Sequence, residues 1–132
     1  MYKGSYDEQD LVKAGSIVFA ADDDLTVEKK TANIPALFEE LSENYLLAIE
    51  KPQEDTAGDL AVYVYNVIAI DGDNERDVLH VTSTVEKITG KDTYRDIPIY
   101  GLFRGQGKIK IGMKFAADSG AITVKYRLFR IK

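Results

Sequence analysis

The chain has 132 residues, of which 45% are hydrophobic and 30% charged, with a formal net charge of −5 and no cysteine. That length supports one domain able to bury about two-thirds of its unfolded surface without covalent staples, and the composition is that of a soluble globular chain. The missing cysteine excludes a disulfide framework, thiol catalysis and any cysteine-based zinc site.

The stretch from Met1 to Asp10 is acidic where a secretory signal would be basic. The first apolar run, Ile17 to Ala21, is too short for a signal core or a membrane span. The expectation is a single β-rich domain over residues 1–132, with no secretion signal and no membrane partner. Gly15 to Ala20 and Leu25 to Lys30 read as two strands around the acidic loop Asp22-Asp23-Asp24. Asn33 then caps a short predicted helix near residues 35–43, which starts at Pro35 and carries Glu39 and Glu40 near its first turn. Ser42, Glu43 and Asn44 cluster as its stop, and Tyr45 to Lys51 continues as a buried strand.

Leu60 to Ile70 is apolar on both faces and belongs in the centre of a covered sheet. Asp71-Gly72-Asp73-Asn74 makes a turn. Val78 to Ile88 follows, with Leu79, Val81 and Val85 inward and His80, Thr82, Thr84 and Glu86 outward. Ile97 to Arg104 is a strand whose Pro98 marks an edge or a bulge. In Lys108 to Phe115 the residues Ile109, Ile111, Met113 and Phe115 share one face and Lys108, Lys110 and Lys114 the other. Asp118-Ser119-Gly120 leads into Ala121 to Ile131, where Ile122, Val124, Tyr126 and Leu128 alternate with Thr123, Lys125, Arg127 and Phe129. These last two strands are expected to pair as a hairpin. The sum is an antiparallel β-sandwich or flattened barrel of about 7–8 strands with one short helix.

No catalytic, cofactor or metal site emerges. His80 is the single histidine and alternates with threonines on the polar side of its strand. Without a second histidine or a cysteine, it lacks the partners that a Ser-His-Asp triad or a histidine-bearing zinc site needs. The run from Asp71 to Asp77 fails as a calcium loop, because its glycine is second instead of sixth and Thr82 stands where a bidentate Glu is required. Gly101, Gly105 and Gly107 do not open a helix and so cannot cradle phosphate. No enzyme activity and no cofactor are expected.

Charge is distributed unevenly. Up to Glu75 there are 17 acidic and 5 basic residues, a net of −12; from Arg76 onward there are 5 acidic and 12 basic, a net of +7. A turn near Ala117 to Gly120 would place Lys110 opposite Arg127 and Gly112 opposite Lys125. Lys108, Lys110, Lys114, Lys125 and Arg127 would then form one positive patch, and such a patch meets an anion or protects a sheet edge. The expected partner is an acidic protein surface, most simply the first half of another copy.

The chain therefore reads as a non-catalytic structural protein that packs against neighbouring subunits by self-association or within a larger particle. In size, composition and β-rich build it resembles the small structural proteins of bacteriophage particles: capsid decoration, head-fibre, neck or tail components. That resemblance implies a virion location; a cellular protein of this type would be cytoplasmic. A nucleic-acid-binding barrel is the first alternative, disfavoured by the acidic first half. A small-ligand-binding barrel or an enzyme is the second, with Tyr63, Tyr65, Tyr94 and Tyr100 available to line a pocket.

Overall fold

The computed structural model describes residues 11–35, 42–53, 56–72, 74–88, 90–103 and 108–131. Among these residues every regular element is a strand: β1 (Leu11–Phe19), β2 (Lys29–Lys30), β3 (Ile34–Pro35), β4 (Ser42–Lys51), β5 (Leu60–Asp71), β6 (Asn74–Val85), β7 (Thr93–Phe103), β8 (Lys108–Phe115) and β9 (Ile122–Ile131). They form two antiparallel sheets. One has the order β1-β9-β4-β7; the other has the order β2-β8-β5-β6, with β3 also paired to β8. Two such sheets packed face to face make a β-sandwich, here with a jelly-roll strand order.

Strict alternation builds the core. Tyr45, Leu47 and Ile49 of β4, Ile97 and Ile99 of β7, and Val124, Tyr126 and Leu128 of β9 point inward from the first sheet. Leu60, Val62 and Val64 of β5 and Ile109, Ile111, Met113 and Phe115 of β8 meet them from the second. Phe19 and Phe115 close the contact edge to face, with ring centroids 5.4 Å apart. As read from its two apolar faces, β5 is central, hydrogen-bonded to β6 on one side and β8 on the other.

The structure corrects three sequence readings. The first is the C-terminal hairpin. Both strands exist with the expected inward residues, but β8 pairs with β2, β3 and β5, whereas β9 pairs with β1 and β4. The chain crosses from one sheet to the other between them. The crossing is held from outside: the Ala116 and Ala117 amides donate to the Asp59 and Ala57 carbonyls at 3.0 and 2.9 Å, and the Leu25 amide donates to Asp118 Oδ1 at 3.1 Å. Facing strands bury both apolar stripes against each other, where a hairpin would leave them side by side on one sheet.

The second correction concerns the short helix. Pro35 ends β3, Ile34 is buried opposite Ile109, and Ser42 already begins β4; residues 36–41 lie outside the described residues. Asn33 Nδ2 donates to Glu75 Oε1 at 3.0 Å, and its Oδ1, the atom that would cap a helix, accepts no hydrogen bond among the described residues. Pairing with β7 and β9 on its two sides lets β4 bury Tyr45, Leu47 and Ile49 together, a gain that outweighs the local stop signal at Ser42 to Asn44.

The third correction is a parity inversion in β6. Val81 pairs with Val64 and Leu79 with the next residue, Tyr65, so His80 is an extra, bulged residue. On the near side of the bulge Leu79 is outward and exposed instead of inward, and Glu75 and Asp77 share its face. Similarly, of the strand expected over Leu25 to Lys30 only Lys29–Lys30 is paired, while Leu25 is buried below the turn.

Ile111 is fully buried beneath both sheets. Ile111→Ala should therefore lower the free energy of unfolding by about 2–5 kcal/mol. Denaturant titration checks this, and a loss below 0.5 kcal/mol, the ~0.5 kcal/mol scale of surface substitutions, would contradict the packing described.

Candidate functional site

The sandwich has two outer faces, and the predicted basic patch is divided between them. Lys108, Lys110 and Lys114 lie on β8 in one sheet; Lys125 and Arg127 lie on β9 in the other. The five residues do not form one surface.

On the β8 face Lys30, Lys108 and Lys110 form ion pairs within the chain. Lys108 Nζ lies 2.6 Å from Glu75 Oε2, Lys110 Nζ 3.2 Å from Asp77 Oδ1, and Lys30 Nζ 3.0 Å from Asp77 Oδ2. Lys30 Nζ also sits 4.4 Å from the centroid of the Tyr65 ring, and Lys114 Nζ 5.9 Å from that of Tyr63. The Tyr65 hydroxyl donates to the Glu28 carboxylate, which occupies the space that the missing side chain of Gly112 leaves. Burial raises the Tyr65 pKa strongly, and the Glu28 hydrogen bond adds to that. Hydrogen bonds from Lys108 and Asn33 hold Glu75 below the ordinary carboxylate range. For Asp77 burial pushes upward, but hydrogen bonds from Lys30 and Lys110 outweigh it and the pKa is lowered. These acids reach β8 because the His80 bulge turns Glu75 and Asp77 outward.

His80 is half-buried and not the exposed strand residue its alternation suggested. Its Nε2 donates to the Tyr100 carbonyl at 2.6 Å, so Nδ1 is the acceptor facing the Asn66 amide at 3.5 Å. It ties β6 to β7 across the edges of the two sheets.

The other outer face is built differently. Cross-strand register sets out two rows: Ser16, Lys125, Glu50 and Tyr94, then Ala14, Arg127, Ala48 and Asp96. Leu46 and Phe129, paired opposite each other, close the end beyond the second row. Ala48 of β4 lies between long residues on β9 and β7, and the small residues Ala14 and Ser16 of β1 lie on the other side of β9, which leaves an open groove of about 850 Å³ that extends over β9. Its size falls in the range of ligand sites, roughly 300–1,000 Å³. Gly15 keeps β1 in place beneath it: a Cβ there would stand 2.6 Å from the Tyr126 hydroxyl oxygen, whose ring fills the core below. Tyr94 is 68% exposed at one side.

Lys125, Arg127, Glu50 and Asp96 make no ion pair among the described residues. Lys125 and Glu50 are direct cross-strand neighbours and still do not close a salt bridge. The groove thus presents two donors and two carboxylate acceptors over a small, partly apolar floor. No group of three or more potential metal ligands occurs among the described residues.

No family model matches this chain, and no curated protein matches it. Nine chains of solved structures do. One is TmCBM61, a carbohydrate-binding module, in complex with β-1,4-galactotriose; it is 15% identical, with a TM-score of 0.46 over 97% of this chain and 99% of that one.

Sequence reasoning placed Lys125 and Arg127 on an outer face and offered Tyr94 as a pocket-lining ring, but missed Glu50, Ala48 and Asp96. The signal for them was present as alternation, Leu46-Ala48-Glu50 against Tyr45-Leu47-Ile49 and Tyr94-Asp96 against Arg95-Ile97. What it lacked was the neighbour relation of β4, β7 and β9, strands far apart in sequence.

The ion pairs on the β8 face have a pH signature. A lowered pKa means that the folded state favours ionised Asp77, so its contribution is complete above the ordinary value of 3.8 and is lost as pH falls below that toward the folded pKa. Asp77→Asn should flatten the drop in thermal stability below pH 4, about the ordinary aspartate range. Melting curves from pH 2 to 7, a span of about five units around that range, check this; an unchanged acid slope would contradict the assignment.

Proposed function

We propose that the protein is a non-catalytic binding module whose working surface is the outer face of β1, β9, β4 and β7, and whose ligand is a polyhydroxylated chain, an oligosaccharide. The observation that carries this reading is the groove in which Lys125, Arg127, Glu50 and Asp96 stand unpaired among the described residues around a small floor. On the opposite face Lys30, Lys108 and Lys110 are paired with Glu75 and Asp77. Charged side chains held on rigid strands and kept apart can each make a charge-assisted hydrogen bond to a hydroxyl. A ligand that donates and accepts along its length, and carries no net charge, suits a surface with two cations and two carboxylates. Tyr94 and Tyr100 add exposed rings on β7 for apolar contact with the faces of sugar rings.

The same chemistry speaks against turnover. A glycosidase needs one of its carboxyl groups kept protonated by apolar surroundings. Asp96 is exposed, and Glu50 lies directly beside Lys125. The histidine is engaged between Asn66 and the Tyr100 carbonyl, outside the groove lining. The carboxylates in the groove also oppose a polyphosphate, which weakens the nucleic-acid reading. A ligand carried inside a barrel finds no support in an interior filled by the side chains of both sheets.

A second reading is favoured by Lys125 and Arg127, which stand together on this face without an ion-pair partner among the described residues. In it this face packs against an acidic surface of a neighbouring subunit, as in a virion component. The first reading predicts that isothermal titration against neutral oligosaccharides gives saturable binding. Lys125→Ala with Arg127→Ala should weaken that binding at least about tenfold, the scale of a lost charge-assisted hydrogen bond. Absence of saccharide binding, together with self-association that weakens as salt rises, would select the second reading. Release of free sugar from the ligand would overturn the non-catalytic assignment.

A further inference from the structure

The groove has a direction, and one residue sets its depth. β4 lies between β9 and β7. Along the outward side of β4 the residues are Leu46, Ala48 and Glu50, buried, half-buried and half-buried in turn. Lys125 and Arg127 rise from β9 on one flank, Tyr94 and Asp96 from β7 on the other. Neighbouring strands are about 4.8 Å apart, so the flanks stand roughly 9–10 Å from each other. From Leu46 to Glu50 the strand rises about 13 Å. Over β4 the groove is a trough along one strand, wide enough for a single chain and short, in which Ala48 is the outward β4 residue between the two ends. One wall carries only donors, and the other carries an acceptor and an aromatic ring.

Resting on the binding reading above, we propose that Ala48 is the specificity-determining seat of the site, and that the ligand lies lengthwise along β4 between the cationic β9 wall and the Asp96 wall. A larger side chain at position 48 would fill the trough between Arg127 and Asp96, its direct cross-strand neighbours. Because the position faces outward, enlarging it leaves the core of Tyr45, Leu47 and Ile49 untouched. The single-file geometry also implies that ligand edges are read unequally: hydroxyl acceptors on the side facing Lys125 and Arg127, hydroxyl donors on the side facing Asp96.

The test uses the full chain, a panel of neutral galacto-, gluco-, manno- and xylo-oligosaccharides, and titration calorimetry with melting curves for every variant. Ala48→Leu should lose at least tenfold in affinity for whichever probe the unaltered protein binds, with its melting temperature retained. Ala48→Ser should bind within about threefold of the unaltered protein, and Thr84→Leu, an exposed position on β6 in the other sheet, should have no effect. Binding by Ala48→Leu equal to that of the unaltered protein would overturn the seat while leaving the binding module intact. If the unaltered protein bound none of the probes, the binding reading would fail, and this proposal with it. If Ala48→Leu failed to fold, loss of binding by Ala48→Val at retained melting temperature would carry the same decision, and its retention would overturn the proposal.

Discussion

The inward faces of β8 and β9 pack across a single shared core, and the rest of the molecule is arranged around that contact. Ile109, Ile111, Met113 and Phe115 meet the layer containing Ile122, Val124, Tyr126 and Leu128, and all eight are buried. A strand shows successive side chains to opposite sides, so committing these residues to one core commits their alternates to the outside. Since the two strands belong to different sheets, their outside faces point away from each other. The cations of β8 and those of β9 are thereby separated by the full thickness of the sandwich, although they are close in sequence.

The two outer faces then acquire different characters from one local irregularity. The extra residue His80 shifts the parity of β6, and with it Glu75 and Asp77 turn to the side on which the β8 lysines emerge. Surface ion pairs of this kind contribute at most about 1 kcal/mol each. Their larger consequence is that Lys30, Lys108 and Lys110 are engaged within the chain. Of these pairs Lys108 with Glu75 joins a cation of the basic second half to a carboxylate of the acidic first half, whereas Lys110 with Asp77 lies within the second half.

The opposite face has no comparable compensation among the described residues. There the long side chains stand on β9 and β7 and the short ones on β1 and β4, so the surface is ridged. Hydrogen bonding between four antiparallel strands holds these ridges at regular spacing, which makes the groove a preorganised feature. A β-sandwich by itself says nothing of function; the ridges, the charges that are unpaired among the described residues and the exposed tyrosines are what give this face a chemical identity.

Strand content, the central position of β5, the turn after Ile70 and nearly every inward residue of β8 and β9 were determined by the sequence alone. These features follow from period-two alternation and turn chemistry, which are local. Tertiary structure decided what is not local. Whether β8 and β9 would lie side by side or face to face depended on competition for β5 and β4 as partners, and strands more than forty residues away won it. The short helix gave way near Ser42 because β7 and β9 offered β4 ladders on both sides. The bulge at His80 has no composition that marks it, and it reversed the faces of Leu79 and Asp77. The groove shows the same division: Lys125 and Arg127 were visible as outward residues, while Glu50, Ala48 and Asp96 became their neighbours only through registers that no segment of the chain encodes by itself.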